Sequence, residues 1–329
     1  MASLIESLTQ SFTPDLLGLV GKATGLDGTQ ISKGLGIVGP LVTGALANRA
    51  STPDGLSGLM NSLSQAGGGA ATTSLSSLIT GGGASSSMLS SLIGPGLGAM
   101  SGTIDRALGF KVSPLIAMVA PLIIGQLSQR ASTQKLDKDG IARLLRDEQS
   151  AVMKQGGEAM TVVQQALDAG RDAADTKAKY SADQWSDVRL GAAAVAVLVM
   201  GASPSGLVGA SKEVVALGKA LAESRKDAGP TSILNLACES APGIEDYKKL
   251  PEDGPGLVDV ARRALQAVAT KSPADAVRYG KMLVDAATRV AEASKEGGFL
   301  GIGGTRVSGQ EQQAIDEIRA AVRQVVQVA

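Results

Sequence analysis

The sequence predicts an all-α protein of two helical domains, and three observations carry that prediction. The stretch GPLVTGALANRAST at 39–52 returns as APLIIGQLSQRAST at 120–133, 81 residues later, with the same Arg-Ala-Ser-Thr ending. Such self-similarity within one chain marks a structural unit written twice. Aliphatic residues recur at i, i+3 and i+4 along both copies and through most of the C-terminal half, the period of an amphipathic helix. The charged residues, 31 Lys and Arg against 31 Asp and Glu, are unevenly spread, and only 11 of them fall in residues 1–130. With 329 residues there is room for two ordinary cores.

The N-terminal domain is expected over 1–150. In its first copy Leu35, Val38, Leu41, Val42, Ala45 and Leu46 lie on one helical face; in the second, Leu115, Val119, Leu122, Ile123 and Leu127 do. Ser113 before Pro114 reads as an N-cap with Pro at N1, and Ser32 holds the matching place in the first copy. Pro40 and Pro121 sit inside the patterns and predict a kink or break, since each removes one backbone hydrogen bond. Arg49 and Arg130 close the helices, where a cation suits the dipole and the last carbonyls. The copies realign at DGLSGLM (54–60) and DGIARLL (139–145). Neither apolar helix can be buried alone, so the two are expected to pack together. Between them, 55–104 holds no charge and is about half Gly and Ser, a low-complexity insert in which short helices are expected at 74–79 and 86–93.

From 137 the chain turns charged, Gln-rich and Ala-rich, and 151–182 reads as a charged helical connector broken near Gly156 and Gly157. Over 183–329 a helical bundle is expected, with helices near 183–201, 206–224, 231–239, 256–270, 273–295 and 308–327. Ser272 with Pro273 is a second N-cap and N1 pair, and Ser308 with Glu311 is a capping box. The most apolar run, 190–202, is shorter than the roughly 20 residues of a membrane span and reads as a core helix.

Composition also excludes. Balanced charge removes the usual attraction to nucleic acid, and at 2% aromatics there is little with which to stack bases. The chain has no His, so no imidazole base and no His-bearing metal site. The single Cys238, in NLACESA, forms no intrachain disulfide and reads as a small core residue. No basic stretch followed by an apolar block opens MASLIESLTQ, so a cytoplasmic location is expected.

The residues of 1–150, with TPDLLGLVGKATGLDG, the two apolar helices and the Gly-rich middle, resemble the bacterial YidB-like family, domain of unknown function 937. That resemblance implies an all-helical fold and a bacterial source, and no activity. The C-terminal part is similar, more loosely, to TerB-like tellurite-resistance and stress-associated domains, in which an apolar helix, an Asp-Gly turn and a Glu-bearing helix occur twice. AAVAVLVMGASPSGLVGASKEVVALGKAL, with Gly206 and Glu213, and RVAEASKEGGFLGIGGTRVSGQEQQAIDEI, with Gly304 and Glu311, follow that outline. Ser205 and Gly303 stand where that family has its Asp. The resemblance therefore implies two candidate cation ligands, Glu213 and Glu311, without the accompanying aspartates.

Other chemistry is thin. EGGFLGIGGT (296–305) lacks the strand and the Gly-Lys-Ser/Thr ending of a phosphate loop, leaving Phe299 and Leu300 as an apolar tip. The pairs Glu245, Asp246 and Glu252, Asp253 read as a solvated loop, and no base stands near a Ser nucleophile. The expectation is a non-enzymatic scaffold or stress-associated interaction protein without cofactor. Its homo-oligomers would form through the charge-poor half, by way of Leu41, Val42, Leu46, Leu122, Ile123 and Leu127, leaving the C-terminal domain to meet a protein partner. The first alternative is peripheral membrane association through the same helices or through Phe299 and Leu300; against it, the helices lack a Lys and Arg rim. The second is a divalent-metal-responsive TerB-like protein.

Overall fold

Local signals at the helix ends lay out the chain. The computed structural model describes residues 12–67, 89, 93, 96–154, 156–202, 210–239, 242–293 and 307–326. Among these residues there are fourteen helices and no strand, so the fold is all-α. They form two compact units, Met1–Ala174 and Asp175–Ala329.

The first unit contains α1 (Pro14–Thr24), α2 (Gly28–Ala50), α3 (Pro53–Gly67), α4 (Leu97–Leu108), α5 (Ser113–Thr133), α6 (Lys138–Met153) and most of α7 (Glu158–Ala178). Helix α2 begins four residues before the expected Ser32, because Asp27 accepts from the Gln30 amide at 2.8 Å while the Gln30 side chain accepts from the Asp27 amide at 2.9 Å. That reciprocal box outcompetes the lone serine. At α5 the cap is Val112 rather than Ser113, and the Val112 amide donates at 2.8 Å to Asp105 at the end of α4. Both inner prolines are accommodated within continuous helices. Pro40 leaves the Gly36 carbonyl without its helical donor, and Gly36 is exposed, so water can serve it.

Helix α2 is buried on every side from 37 to 47, so it has no polar face to show. Packing that close needs glycine: a Cβ at Gly34 would lie 2.3 Å from Leu115 Cδ1 on α5, and one at Gly44 would lie 2.7 Å from Leu167 Cδ1 on α7. The charged stretch after 150 joins this core as well. Met160, Val163 and Leu167 lie one helical turn apart on α7 and are buried with α2 and α5, so the division into units falls at Ala174, inside a helix first read as a connector. Within the charge-free insert, Leu59, Leu63, Leu89, Ile93, Leu97 and Met100 are core residues. The short helices expected at 74–79 and 86–93 fall largely outside the described residues.

The second unit is built around α8 (Ala182–Ala202), packed by α12 (Gly254–Lys271), α13 (Pro273–Ala293) and α14 (Gly309–Val326), with α9 (Ala210–Arg225), α10 (Ile233–Ala237) and α11 (Ile244–Tyr247) completing it. Among the described residues α8 is the one helix long and apolar enough to cross a membrane. Its side chains from Leu190 to Ala196 are all buried in this unit's core, the place of a central helix. Fully buried Tyr279 on α13 donates its hydroxyl to the Val188 carbonyl at 2.6 Å, and a Cβ at Gly191 would lie 2.6 Å from that hydroxyl. Burial holds the Tyr279 phenol well above its usual pKa, so it remains a donor. At the α12–α13 junction Ser272 is the α12 C-cap, and its hydroxyl accepts from the Tyr180 hydroxyl at 2.9 Å rather than capping α13.

Candidate cation site

The side chains expected to form a self-association surface are placed first, because the structure gives most of them another task. Leu41, Val42, Leu46, Ile123 and Leu127 are completely buried inside the first unit, and Leu122 is half-buried against the same core. A partner cannot reach the five, so they are core residues rather than a contact face; their i, i+3, i+4 spacing fits either use. Phe299 and Leu300, with the rest of 296–305, lie outside the described residues.

The two arginines ending the repeated stretches do different things. Arg130 donates to Glu148 on α6 at 3.0 Å, an ion pair in which Glu148 is nearly buried. Arg49 lies along α3, its Nε directed at the Gly55 carbonyl at 3.4 Å, and a Cβ at Gly58 would come within 2.7 Å of its guanidinium.

In the second unit the sequence-flagged glutamates come together. Glu213 occupies the first turn of α9 and is 1% exposed, and neither carboxyl oxygen has a hydrogen-bond partner among the described residues. Desolvation raises its pKa, and repulsion from Glu311 raises it further, so the two carboxyls share one neighbourhood. Glu311 is equally buried and held in place by the expected capping box: the Ser308 amide donates to Glu311 Oε2 at 2.7 Å, and the Glu311 amide donates to Ser308 Oγ at 3.2 Å. A buried carboxylate without a donor is costly to leave as it stands. It becomes stable either by taking a proton or by meeting a cation. Ser205, Gly206, Gly303 and Gly304 lie outside the described residues, and among the described ones no three His, Cys, Asp or Glu side chains gather into a fuller ligand set.

The other acids behave differently. Asp246 is no free loop residue: it sits on the short helix α11, which pattern reading missed. It accepts from the Gly243 amide at 3.1 Å and Lys249 at 3.2 Å and lies 3.5 Å from Arg189, contacts that lower its pKa, the amide most. Asp253 caps α12 by accepting from the Gly256 amide at 2.7 Å. Cys238, half-buried at the end of α10, has its thiol pKa pushed up by burial, the opposite of an activated nucleophile.

Fold and site thus define a two-unit helical protein in which each unit carries its own core and the second holds a pair of buried glutamates. Residues 6–130 match the family described as bacterial protein of unknown function (DUF937), a stretch that spans helices α1 to α4 and nearly all of α5. No curated protein and no solved structure matches the chain.

Proposed function

We propose that this chain is a non-enzymatic, stress-associated interaction protein whose second unit takes up a divalent cation between Glu213 and Glu311. The observation that carries the reading is the buried Glu213 carboxylate, with both oxygens unpartnered among the described residues and a second glutamate beside it. Glu213 offers both of its carboxyl oxygens, and Glu311 Oε2 is engaged by the Ser308 amide. A hard cation would complete its six to eight oxygen ligands with water or backbone carbonyls, a habit most marked in Mg²⁺. The cation would supply charge neutralisation, and the glutamates would hold it. Glu311 heads α14 and Glu213 heads α9, so loading would tie the two helix starts together.

Thermal denaturation of the full chain in millimolar Mg²⁺, Ca²⁺ or Mn²⁺ tests this. The melting temperature should rise through binding linkage in the wild type and stay level in Glu213→Gln. A flat wild-type response to all three metals overturns the reading.

Self-association through the first unit remains a second proposal, supported by the charge distribution: a surface drawn from residues 1–130 has only 11 charged side chains to present. Its contact face would use exposed uncharged residues such as Leu19, 42% exposed, and not the core leucines. Light scattering after size exclusion should show assemblies at micromolar concentration, and a monomer would end this second reading.

A further inference from the structure

A second site also uses α9, lined by residues other than the glutamate pair. A cavity of about 290 Å³ opens among α8, α9, α10, α11 and α13. Its wall is apolar, with Ala192 from α8, Leu217 and Leu221 from α9 and Met282 from α13, while half-exposed Val214 and Tyr247 stand beside it. Arg225 supplies a cation to the lining. Its Nε donates to Asn235 Oδ1 at 2.9 Å and its Nη1 to the Cys238 carbonyl at 3.4 Å, which fixes the guanidinium. No described carboxylate pairs with it, and its Nη2 donors face no described acceptor. The other arginine in the wall, Arg189, already has Asp246 at 3.5 Å. An apolar chamber with one positioned, unneutralised guanidinium at its edge has the plan of a small-ligand site, where lining supplies affinity and few polar groups set orientation. Guanidinium geometry favours a planar carboxylate bound through two parallel hydrogen bonds.

We propose that this cavity binds a medium-chain monocarboxylate, its alkyl chain among Ala192, Leu217, Leu221 and Met282 and its carboxylate on Arg225. Since a dry cavity of about 150 Å³ accepts benzene, the chamber takes a chain of about eight to twelve carbons. Charge complementarity selects the carboxylate over an alcohol or an alkylammonium of the same length.

Isothermal titration of the full chain with octanoate, decanoate, decanol and decyltrimethylammonium, each below its micelle concentration, tests the proposal. Decanoate should bind with one site, and octanoate about tenfold more weakly, as expected for two fewer buried methylenes. Decanol should bind at least tenfold more weakly than decanoate, and the alkylammonium not at all. Arg225→Gln should bring decanoate down to the level of decanol. Gly218→Phe grows a ring from a cavity-lining position where a Cβ meets nothing within 4 Å, so it should abolish decanoate binding while keeping the wild-type melting temperature. Cys238 also lines the cavity and is the only thiol in the chain, so its labelling by a thiol reagent gives a readout in the unmutated protein: decanoate should slow it severalfold. Absence of decanoate binding, decanol binding as tightly as decanoate, or labelling that decanoate leaves unchanged would each overturn the assignment. Failure here leaves the cation response at Glu213 as it was.

Discussion

Glu148 in the first unit and Glu213 in the second are both buried, and the two are treated in opposite ways. Glu148 in the first unit is answered by Arg130 at 3.0 Å across α5 and α6. Glu213 in the second is buried more deeply, has no donor among the described residues, and faces another carboxyl. The first arrangement is what stability alone asks of a buried charge. The second costs stability in the metal-free chain. A cost with no structural return is what a binding site leaves behind, and for that reason the second unit carries the functional proposal.

Four measurements would break or sharpen the contrast. The largest effect should come from Arg130→Met, which takes the guanidinium away from buried Glu148; partial exposure of the pair moderates the loss to about 2–3 kcal/mol, read as a lower denaturant midpoint of the first unit. Equal stability of variant and wild type would mean that the pair is ornamental and the contrast false. Glu213→Gln should go the other way and stabilise the metal-free second unit by about 1 kcal/mol at neutral pH. The sign follows from linkage. A folded-state pKa raised above about 4.5 means that the native state holds the proton more tightly than the unfolded chain. That contribution is complete below the unfolded value and is lost as pH rises through the folded one. Wild-type stability measured against the Gln variant should therefore fall as pH rises above about 4.5, and a parallel pair of pH profiles would remove the basis for a strained Glu213.

A smaller loss, about 1 kcal/mol, is expected for Ser308→Ala, which removes one half of the α14 box. Because the box also holds Glu311, the same variant should weaken any metal-induced rise in melting temperature; an unchanged rise would separate the cap from the site. The smallest effect belongs to Asp285→Asn. Its pair with Lys281 at 2.5 Å is exposed, so the midpoint should shift by no more than about 0.5 kcal/mol. A larger shift would show that surface pairs matter here as much as the buried one.

Much of the fold was legible. The expected helices at 183–201, 256–270 and 273–295 appear as α8, α12 and α13 within a few residues, since a 3.6-residue period is a local property. The Ser308 and Glu311 box was readable for the same reason. Misreadings arose where a second, distant signal competed. Ser32 gives way to the Asp27 box as the cap of α2, and α5 starts from Val112, whose amide Asp105 holds, rather than from Ser113. Helix α7 looked like a connector because its three core side chains are thinly spaced among Gln, Asp and Ala, and the core they enter is supplied by residues over a hundred positions away. The cavity at Arg225 had no sequence signature at all, because its walls come from five helices.

By itself, the sequence determined that this chain is helical, roughly where several helices of its second unit begin and end, and that its first half is poor in charge. Those facts rest on short-range hydrogen bonds, residue types and periodicity, all written within a few positions. Tertiary structure alone decided that the repeated leucines would be core rather than contact surface. It alone gave Glu148 a partner and denied one to Glu213, and left Arg225 unneutralised beside an apolar chamber. Burial and pairing depend on which faces meet, and that is settled only when distant segments pack together.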